Sequence, residues 1–204
     1  MKHIVILAHP GRGSFNASVA KAYCEAAGAL GHDAQLRDLY AMNFDPRLQE
    51  TELPFSPHFR PADDVVRERK IIADADVYAL VYPLWLNTPP AILKGYLERV
   101  FGFGFAYGRN GRGSEPMLEG KKLISFSSSG APLQWVRDTG AFEAIRVLFD
   151  NHLAGVCGFE QAGHLHHGGI VPGIRADAVA RMLDSVRQAV TERLSKETKR
   201  SPAP

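Results

Sequence analysis

Cysteine is scarce in this chain of 204 residues, and the two present, Cys24 and Cys157, make neither a disulfide framework nor a metal-ligand spacing. Each stands among apolar residues and reads as a small buried thiol. Long apolar runs are missing too. The short apolar stretch after Met1-Lys2 stops at His9-Pro10, so no signal peptide is expected, and no window approaches the ~20 residues of a membrane span. Charge of one sign is also lacking: 24 Lys and Arg face 22 Asp and Glu, a formal net charge of +2 that argues against a nucleic-acid partner. Repeats and low-complexity segments do not occur. What remains is an ordinary globular composition, 45% hydrophobic and 23% charged, and the expectation of one soluble, cytoplasmic domain over residues 1–204 with no metal and no membrane insertion.

The two commonest nucleotide loops are absent as well. Gly11-Arg12-Gly13-Ser14-Phe15-Asn16 supplies two of the three glycines of a dinucleotide fingerprint, and no Gly-Lys-Ser/Thr of a P-loop occurs. Yet the first twenty residues organise the chain. Ile4, Val5, Ile6, Leu7 and Ala8 form an unbroken apolar run, suited to a strand covered on both faces, and His9 to Gly13 breaks it. From Ser14 the spacing turns helical, with Val19, Ala20, Tyr23, Cys24, Ala27 and Leu30 on one face, until Gly31. Strand, glycine turn and helix start together make an anion site, because unpaired N–H groups and the positive end of the helix dipole converge there. His9, Arg12, Ser14 and Asn16 add hydrogen-bonding side chains; the plainer reading makes Ser14 only a helix cap and His9 a strand-end residue.

The rest alternates strand and helix. Ala34–Leu39 alternates with period two, as a strand near a sheet edge would, and residues 40–61, with four prolines, form a long irregular connection. A helix is predicted over Asp63–Asp74, a buried strand over Val77–Tyr82, and a helix over Ala91–Phe101 with Thr88 as its cap. A glycine-rich loop over Gly102–Gly120 follows, then a strand over Leu123–Ser127. The pattern predicts a helix over Thr139–Leu153, a short strand over Gly155–Phe159, a last helix over Arg175–Leu194 and a frayed polar tail over Lys196–Pro204.

Five strands alternating with helices imply a parallel α/β sheet covered on both faces, with ligands outside the carboxyl ends of the strands where the strand order reverses. Three unusual stretches fall at those ends: His9–Asn16 as a phosphate-type cradle, Pro83–Thr88 as a flat apolar wall carrying an indole, and Ser127–Pro132 as a run of small hydroxyl residues. Together they suit a planar heterocycle on a phosphate tail.

The same residues carry a family resemblance. His9-Pro10 with Ser14-Phe15-Asn16, Asp38 to Pro46, Tyr82-Pro83-Leu84-Trp85, Pro90 to Tyr96, Glu98 to Phe101 and Phe105-Ala106-Tyr107 resemble the NAD(P)H:quinone oxidoreductase family in order and spacing from about residue 3 to residue 132. Afterwards only Cys157-Gly158-Phe159 is similar. The resemblance implies a flavodoxin-like, doubly wound five-stranded sheet, a bound FAD with FMN as the alternative, a homodimer, and hydride passed from NAD(P)H through the flavin to quinones or similar small acceptors. By matching position, it implies that His9, Ser14, Phe15 and Asn16 contact the flavin phosphates and adjoining moiety. Pro83, Leu84, Trp85 and Leu86 would line the isoalloxazine ring, and Ser128, Ser129 and Gly130 its other edge. Two departures stand out. Several relatives place an aromatic residue where Leu86 stands, and Leu133–Gly140 lacks the tyrosine and histidine that stabilise charge on the reduced flavin in well-known members, so no catalytic acid is named. An alternative use of such a flavoprotein is as a regulatory subunit of a membrane transporter.

Other candidates weigh less. His164 and His166 would share a strand face, but without a carboxylate or cysteine at ligand spacing the run His164–His167 reads as solvated or pocket-rim histidines. Arg109 and Arg112 could meet a nucleotide phosphate or simply stay solvated. The Ser127–Ser129 run lacks the elbow of a hydrolase nucleophile. Phe44, Phe55, Phe59, Phe103, Phe105 and Tyr107 lie in the two long loops, and exposed together they would form an apolar patch for a second copy of the chain.

Overall fold

The protein is described here from a computed structural model covering residues 1–110 and 113–195. Arg112 and the expected tail 196–204 lie outside the described residues. The apolar run of the N-terminus forms β1 (Lys2–Leu7), buried from His3 onward. Ser14 then caps α1 (Phe15–Ala29), its hydroxyl accepting from the Ala17 amide at 3.1 Å. Next come β2 (Asp33–Asp38), α2 (Asp63–Ile72) with Asp63 and Asp64 in its first turn, and β3 (Val77–Pro83), every residue of which is buried. After α3 (Ala91–Val100) the chain makes β4 (Tyr107–Asn110) and β5 (Gly113–Pro116), then β6 (Lys122–Ser128), α4 (Leu133–Asp138) and α5 (Ala141–Ile145). A π turn over Arg146–Asn151 leads into α6 (His152–Cys157), followed by β7 (Glu160–His167) and α7 (Ala176–Leu194).

Five of the strands form one parallel sheet in the order β2-β1-β3-β6-β7, the doubly wound arrangement expected. The order reverses between β1 and β3, which opens a crevice above their carboxyl ends. The alternating side chains of the strands feed two cores. On one face Val5, Leu7, Val77, Val81 and Phe126 meet Val19 and Tyr23 of α1 and Val186 and Val190 of α7. On the other, Ile4, Ile6, Tyr78, Leu80 and Tyr82 meet Ile72 of α2, Leu93, Tyr96 and Leu97 of α3, and Cys157. Cys157 is buried and Cys24 half-buried, and desolvation pushes their thiols up to about 12 and about 11, so both are protonated at neutral pH.

Four local expectations are corrected. The stretch Gly155–Phe159 is not a strand: Gly158, at φ 85°, ends α6 in the left-handed conformation, and the fifth strand lies beyond it at Glu160–His167. A short apolar run does not by itself separate strand from helix end. The glycine-rich loop contains the antiparallel hairpin β4–β5. Helix α3 is entered through Pro90 with no side-chain cap, while Thr88 closes the preceding turn with its hydroxyl on the Trp85 carbonyl. Of the six loop aromatics only Phe55 is exposed; Phe44 sits over Tyr96, Phe103 contacts Phe59 and Tyr107, and Phe105 contacts Phe101. These rings serve their own chain.

At the sheet edge, β7 carries a bulge. Leu123 pairs with Gln161 and Ile124 with Gly163, leaving Ala162 as the extra residue. The Ala162 carbonyl accepts from Arg193 Nη1 at 3.2 Å, and a Cβ on Gly163, at φ 125°, would lie 1.8 Å from that nitrogen.

Candidate functional site

The sheet brings the three loops predicted from sequence to one crevice. His9, Phe15 and Asn16 line it from the first, Pro83, Leu84 and Trp85 from the second, and Ser128, Ser129 and Gly130 from the third, with Ile170 beside them. Two predicted residues lie outside the lining. Ser14 is occupied as the cap of α1, and Leu86 stands 99% exposed on the tip of the second loop. Trp85 and Thr88 exchange both backbone hydrogen bonds around that tip, and Leu86 and Asn87 have φ of 52° and 59°. Two central residues at positive φ fit a tight I′-type turn, in which a leucine is strained.

The first loop is self-braced. The Gly11 amide donates to His9 Nδ1 at 2.9 Å and the Ser14 amide to the Gly11 carbonyl at 3.1 Å. Burial holds the His9 imidazole below its ordinary pKa against the opposing Gly11 contact, so it is neutral at pH 7. Its ring lies 5.8 Å from that of Trp85. With Ser14 serving Ala17, the amides of Phe15 and Asn16 have no acceptor within the helix and remain for an anion. Asn16 is buried, and its side chain both donates to Ser128 Oγ at 2.9 Å and accepts from it at 3.2 Å. Asn16 therefore ties the helix start to the third loop.

The third loop is held by β7 and the segment after it. Ser129 N–H donates to the His167 carbonyl, and its carbonyl accepts from Ile170 N–H. Gly130 is open: a Cβ there would meet nothing closer than 3.8 Å, so a flat group can come close to this backbone. The enclosed part of the crevice is about 130 Å³, smaller than two apolar clefts beside α3 of about 430 and 520 Å³. Chemistry rather than size singles it out, because it alone of the three combines a helix N-terminus, an indole and open backbone at the switch point. The free amides of α1 suit an anion such as a phosphate, Trp85 offers a flat apolar face and Gly130 an open backbone edge, a set of groups that would fit a flavin.

Beneath the third loop the structure shows what sequence reading missed. His164 and His166 do share a strand face, but they are neither solvated nor on a pocket rim: the His164 side chain is 2% exposed and His166 is buried. Ser125 pairs with His164 and Ser127 with His166 across β6 and β7. The Ser127 hydroxyl lies 2.6 Å from His164 Nε2 and 2.8 Å from His166 Nδ1, and His166 Nε2 is 3.0 Å from Ser129 Oγ. Asp150, from the π turn, bonds His164 Nδ1 at 2.6 Å and accepts from Ser125 Oγ at 2.7 Å. The period-two pattern of Ser125-Ser127-Ser129 and of His164-His166 was a readable signal for one polar face on adjoining strands. Asp150 carried none, because its inward direction depends on the π turn. Among the described residues no group of three His, Cys, Asp or Glu is arranged to hold a metal. Arg109 lies over the exposed Phe55 ring, 5.1 Å from its centroid.

The chain as a whole is similar to known proteins. A family model described as flavodoxin-like fold matches residues 1–190. An uncharacterised NAD(P)H oxidoreductase of Haemophilus influenzae is 35% identical over 172 residues, covering 81% of this chain and 85% of the relative. The ribosyldihydronicotinamide dehydrogenase [quinone] of Mus musculus is 28% identical, covering 78% of each chain. Among solved structures, an NAD(P)H:quinone oxidoreductase from Methanothermobacter marburgensis superposes with a TM-score of 0.81 at 29% identity, covering 97% of this chain and 98% of the other.

Proposed function

This chain belongs to the flavodoxin-like NAD(P)H:quinone oxidoreductase family, and on that premise we propose that it passes hydride from NAD(P)H, through a flavin in the three-loop crevice, to quinones or similar small acceptors. An NAD(P)H-dependent flavin oxidoreductase is the class its relatives define. The observation that carries the finer reading is the convergence, at the switch point, of free helix-terminal amides, the Trp85 ring and the open backbone of Gly130. A bound flavin supplies the hydride exchange; the chain binds, orients and shields it. Phe15 and Asn16 amides take the phosphate, Trp85 and Leu84 form an apolar wall that excludes water, and Asn16 fixes the distance between first and third loops through Ser128. The flavin is FAD in this reading, with FMN the alternative. Flavin released by heating and separated by chromatography identifies it, and NAD(P)H oxidation with a simple benzoquinone measures the turnover. Colourless protein that oxidises no NAD(P)H overturns the reading.

The proposal includes a homodimer in the cytoplasm, supported by surface other than the loop aromatics. Leu148 and Val147 are exposed on the π turn, beside the apolar cleft of about 520 Å³ lined by Pro89, Ala91, Ile145 and Phe149. Leu86 and Trp135 add further exposed apolar surface. Light scattering on flavin-loaded protein should give twice the chain mass; a monomer with full turnover overturns this part. Among the described residues no helix is long and apolar enough to cross a membrane.

A further inference from the structure

The buried chain Asp150–His164–Ser127–His166–Ser129 runs unbroken from the π turn to the wall of the crevice, with links of 2.6, 2.6, 2.8 and 3.0 Å. Hydroxyls and neutral imidazoles each have one N–H or O–H along such a chain, so fixing the direction of one link fixes all the others. The far end supplies that constraint. The Ala131 carbonyl can only accept, and Ser129 Oγ lies 3.0 Å from it, so the Ser129 hydroxyl donates there. Ser129 then accepts from His166 Nε2–H, leaving His166 Nδ1 to accept from Ser127. Ser127 has spent its proton and accepts from His164 Nε2–H. One proton is still needed between His164 Nδ1 and Asp150, since the two would otherwise meet lone pair to lone pair at 2.6 Å.

Removing that proton reverses the three links from His164 to Ser129, while a proton remains between His164 Nδ1 and Asp150. His164 then donates from Nδ1 to Asp150 and accepts from Ser127, Ser127 accepts from His166 Nδ1–H, and Ser129 turns its hydroxyl to His166 Nε2. The Ala131 carbonyl keeps the Gly169 amide at 2.8 Å. The two arrangements differ by one proton, and His166 is neutral in both, carrying its proton on a different nitrogen in each.

We propose that this chain stores one proton at the Asp150–His164 pair and delivers it through the Ser129 hydroxyl into the crevice during acceptor reduction. The proposal rests on the flavin reading of that crevice. Its balance is simple: NAD(P)H gives up a hydride, two electrons and one proton, and a quinone becomes a hydroquinone only with a further proton. Ser129 releases its proton into the crevice and takes one from His166 Nε2; His166 takes one at Nδ1 from Ser127; Ser127 takes one from His164 Nε2, and solvent reloads the pair. Ser127, His166, His164 and Asp150 are positioning residues in this scheme.

The surroundings suit a neutral chain. Burial first, then charge on His164, His167 and Arg137, push the His166 pKa down to about 4. Tyr82 of β3 faces the other end, where burial and then the Asp150 charge keep its hydroxyl protonated. Phe142 of α5 packs on both imidazoles, with ring centroids 5.1 and 5.9 Å away. The π turn that aims Asp150 inward is a backbone feature frequent at functional sites.

Imidazole ¹⁵N chemical shifts of the flavin-loaded protein, followed against pH, test the proposal without relying on turnover. The expected result is a change of His166 from the Nδ1–H to the Nε2–H tautomer as pH falls, completed before its cation forms at about 4, and its disappearance in Asp150→Asn. In rapid-reaction kinetics Ser127→Ala should leave flavin reduction by NAD(P)H unchanged and slow reoxidation by a benzoquinone on the order of 10²-fold, flattening its pH profile. A fixed His166 tautomer in flavin-loaded parent protein overturns the proposal even if the variants do not fold. Reoxidation in Ser127→Ala at the parent rate and pH profile overturns it too. Absence of flavin from the parent protein would overturn the reading of the crevice and the delivery step with it, and is distinguished by absorbance alone.

Discussion

Arg99 and Ser127 are buried to similar depth in two polar networks that differ in what they hold. Arg99 Nε and Nη2 donate to both oxygens of Glu52 at 2.9 and 3.0 Å, Nη1 and Nη2 reach Asp64 at 2.9 and 3.1 Å, and Nη1 also donates to the Asp45 carbonyl at 2.6 Å. Burial disfavours the ions at this site, but the hydrogen bonds outweigh it, raising the Arg99 pKa and lowering those of Glu52 and Asp64. Its protons stay where they are. The network under the crevice holds groups that can each give or take a proton and can be satisfied in two directions. Fixed charge staples the loop over residues 40–61 to α2 and α3, whereas shared protons leave a structure intact while its charge state changes. Depth of burial does not separate a structural network from a chemical one; the number of satisfiable hydrogen-bond patterns does.

Breaking the fixed network should have the largest effect. Arg99→Met leaves Glu52, 3% exposed at its side chain, without its cation, and unfolding free energy in urea should drop by about 3–5 kcal/mol. Ser127→Ala, which removes one neutral hydroxyl, should cost about 1–3 kcal/mol. Equal losses would erase the distinction.

Acid should separate the two networks next. The unfolded chain protonates histidine near the ordinary pKa of about 6.5, whereas folded His166 and His3 do so only at about 4. Between those values the unfolded state binds more protons, so stability falls as pH drops from 6.5 to 4, with a slope of up to about 1.4 kcal/mol per pH unit for each histidine. His3 owes its shift to burial and then to His32, and its Nδ1 lies 2.7 Å from the Tyr23 hydroxyl. Glu52 and Asp64 have lowered values, so their contribution is present above the ordinary carboxylate range and is lost only below it. Urea titrations across this range should show the histidine loss first, and His166→Gln should flatten it without altering the lower step.

Much of this was legible in sequence because the first three strand ends carry their chemistry in local residues. The strand-turn-helix over Lys2–Ala29, the edge position of β2 and the three loops at the crevice all follow from period and turn chemistry. The C-terminal third was less so. Glu160–His167 has no apolar alternation to mark a strand, since its polar side chains are satisfied by β6 and Asp150, contacts that only the fold creates. The family resemblance assigns Leu86 and Ser14 to the flavin by position, whereas the structure aims Leu86 at solvent and engages Ser14 as the cap of α1.

An effect on stability no larger than that of Ser127→Ala is expected at the seam between the networks and the crevice. Ser14→Ala with Asn16→Ala removes one cap and one tie between α1 and β6 and should cost about 1–3 kcal/mol in stability. Flavin content after gel filtration should fall well below that of the parent. Unchanged content would show that the backbone amides alone hold the phosphate.

The bulge at Ala162 has a consequence for colloidal behaviour. An edge strand offers its outward N–H and C=O groups as a template on which another chain can add, and β7 is such an edge. Here the extra residue interrupts the spacing of those groups, and the Arg193 guanidinium occupies one carbonyl while placing positive charge on the rim. A strand approaching from solvent therefore meets a broken ladder and a cation that it must displace. The last turn of α7 thus works as a guard against polymerisation along the sheet, and that safeguard depends on a glycine at 163 small enough to admit it.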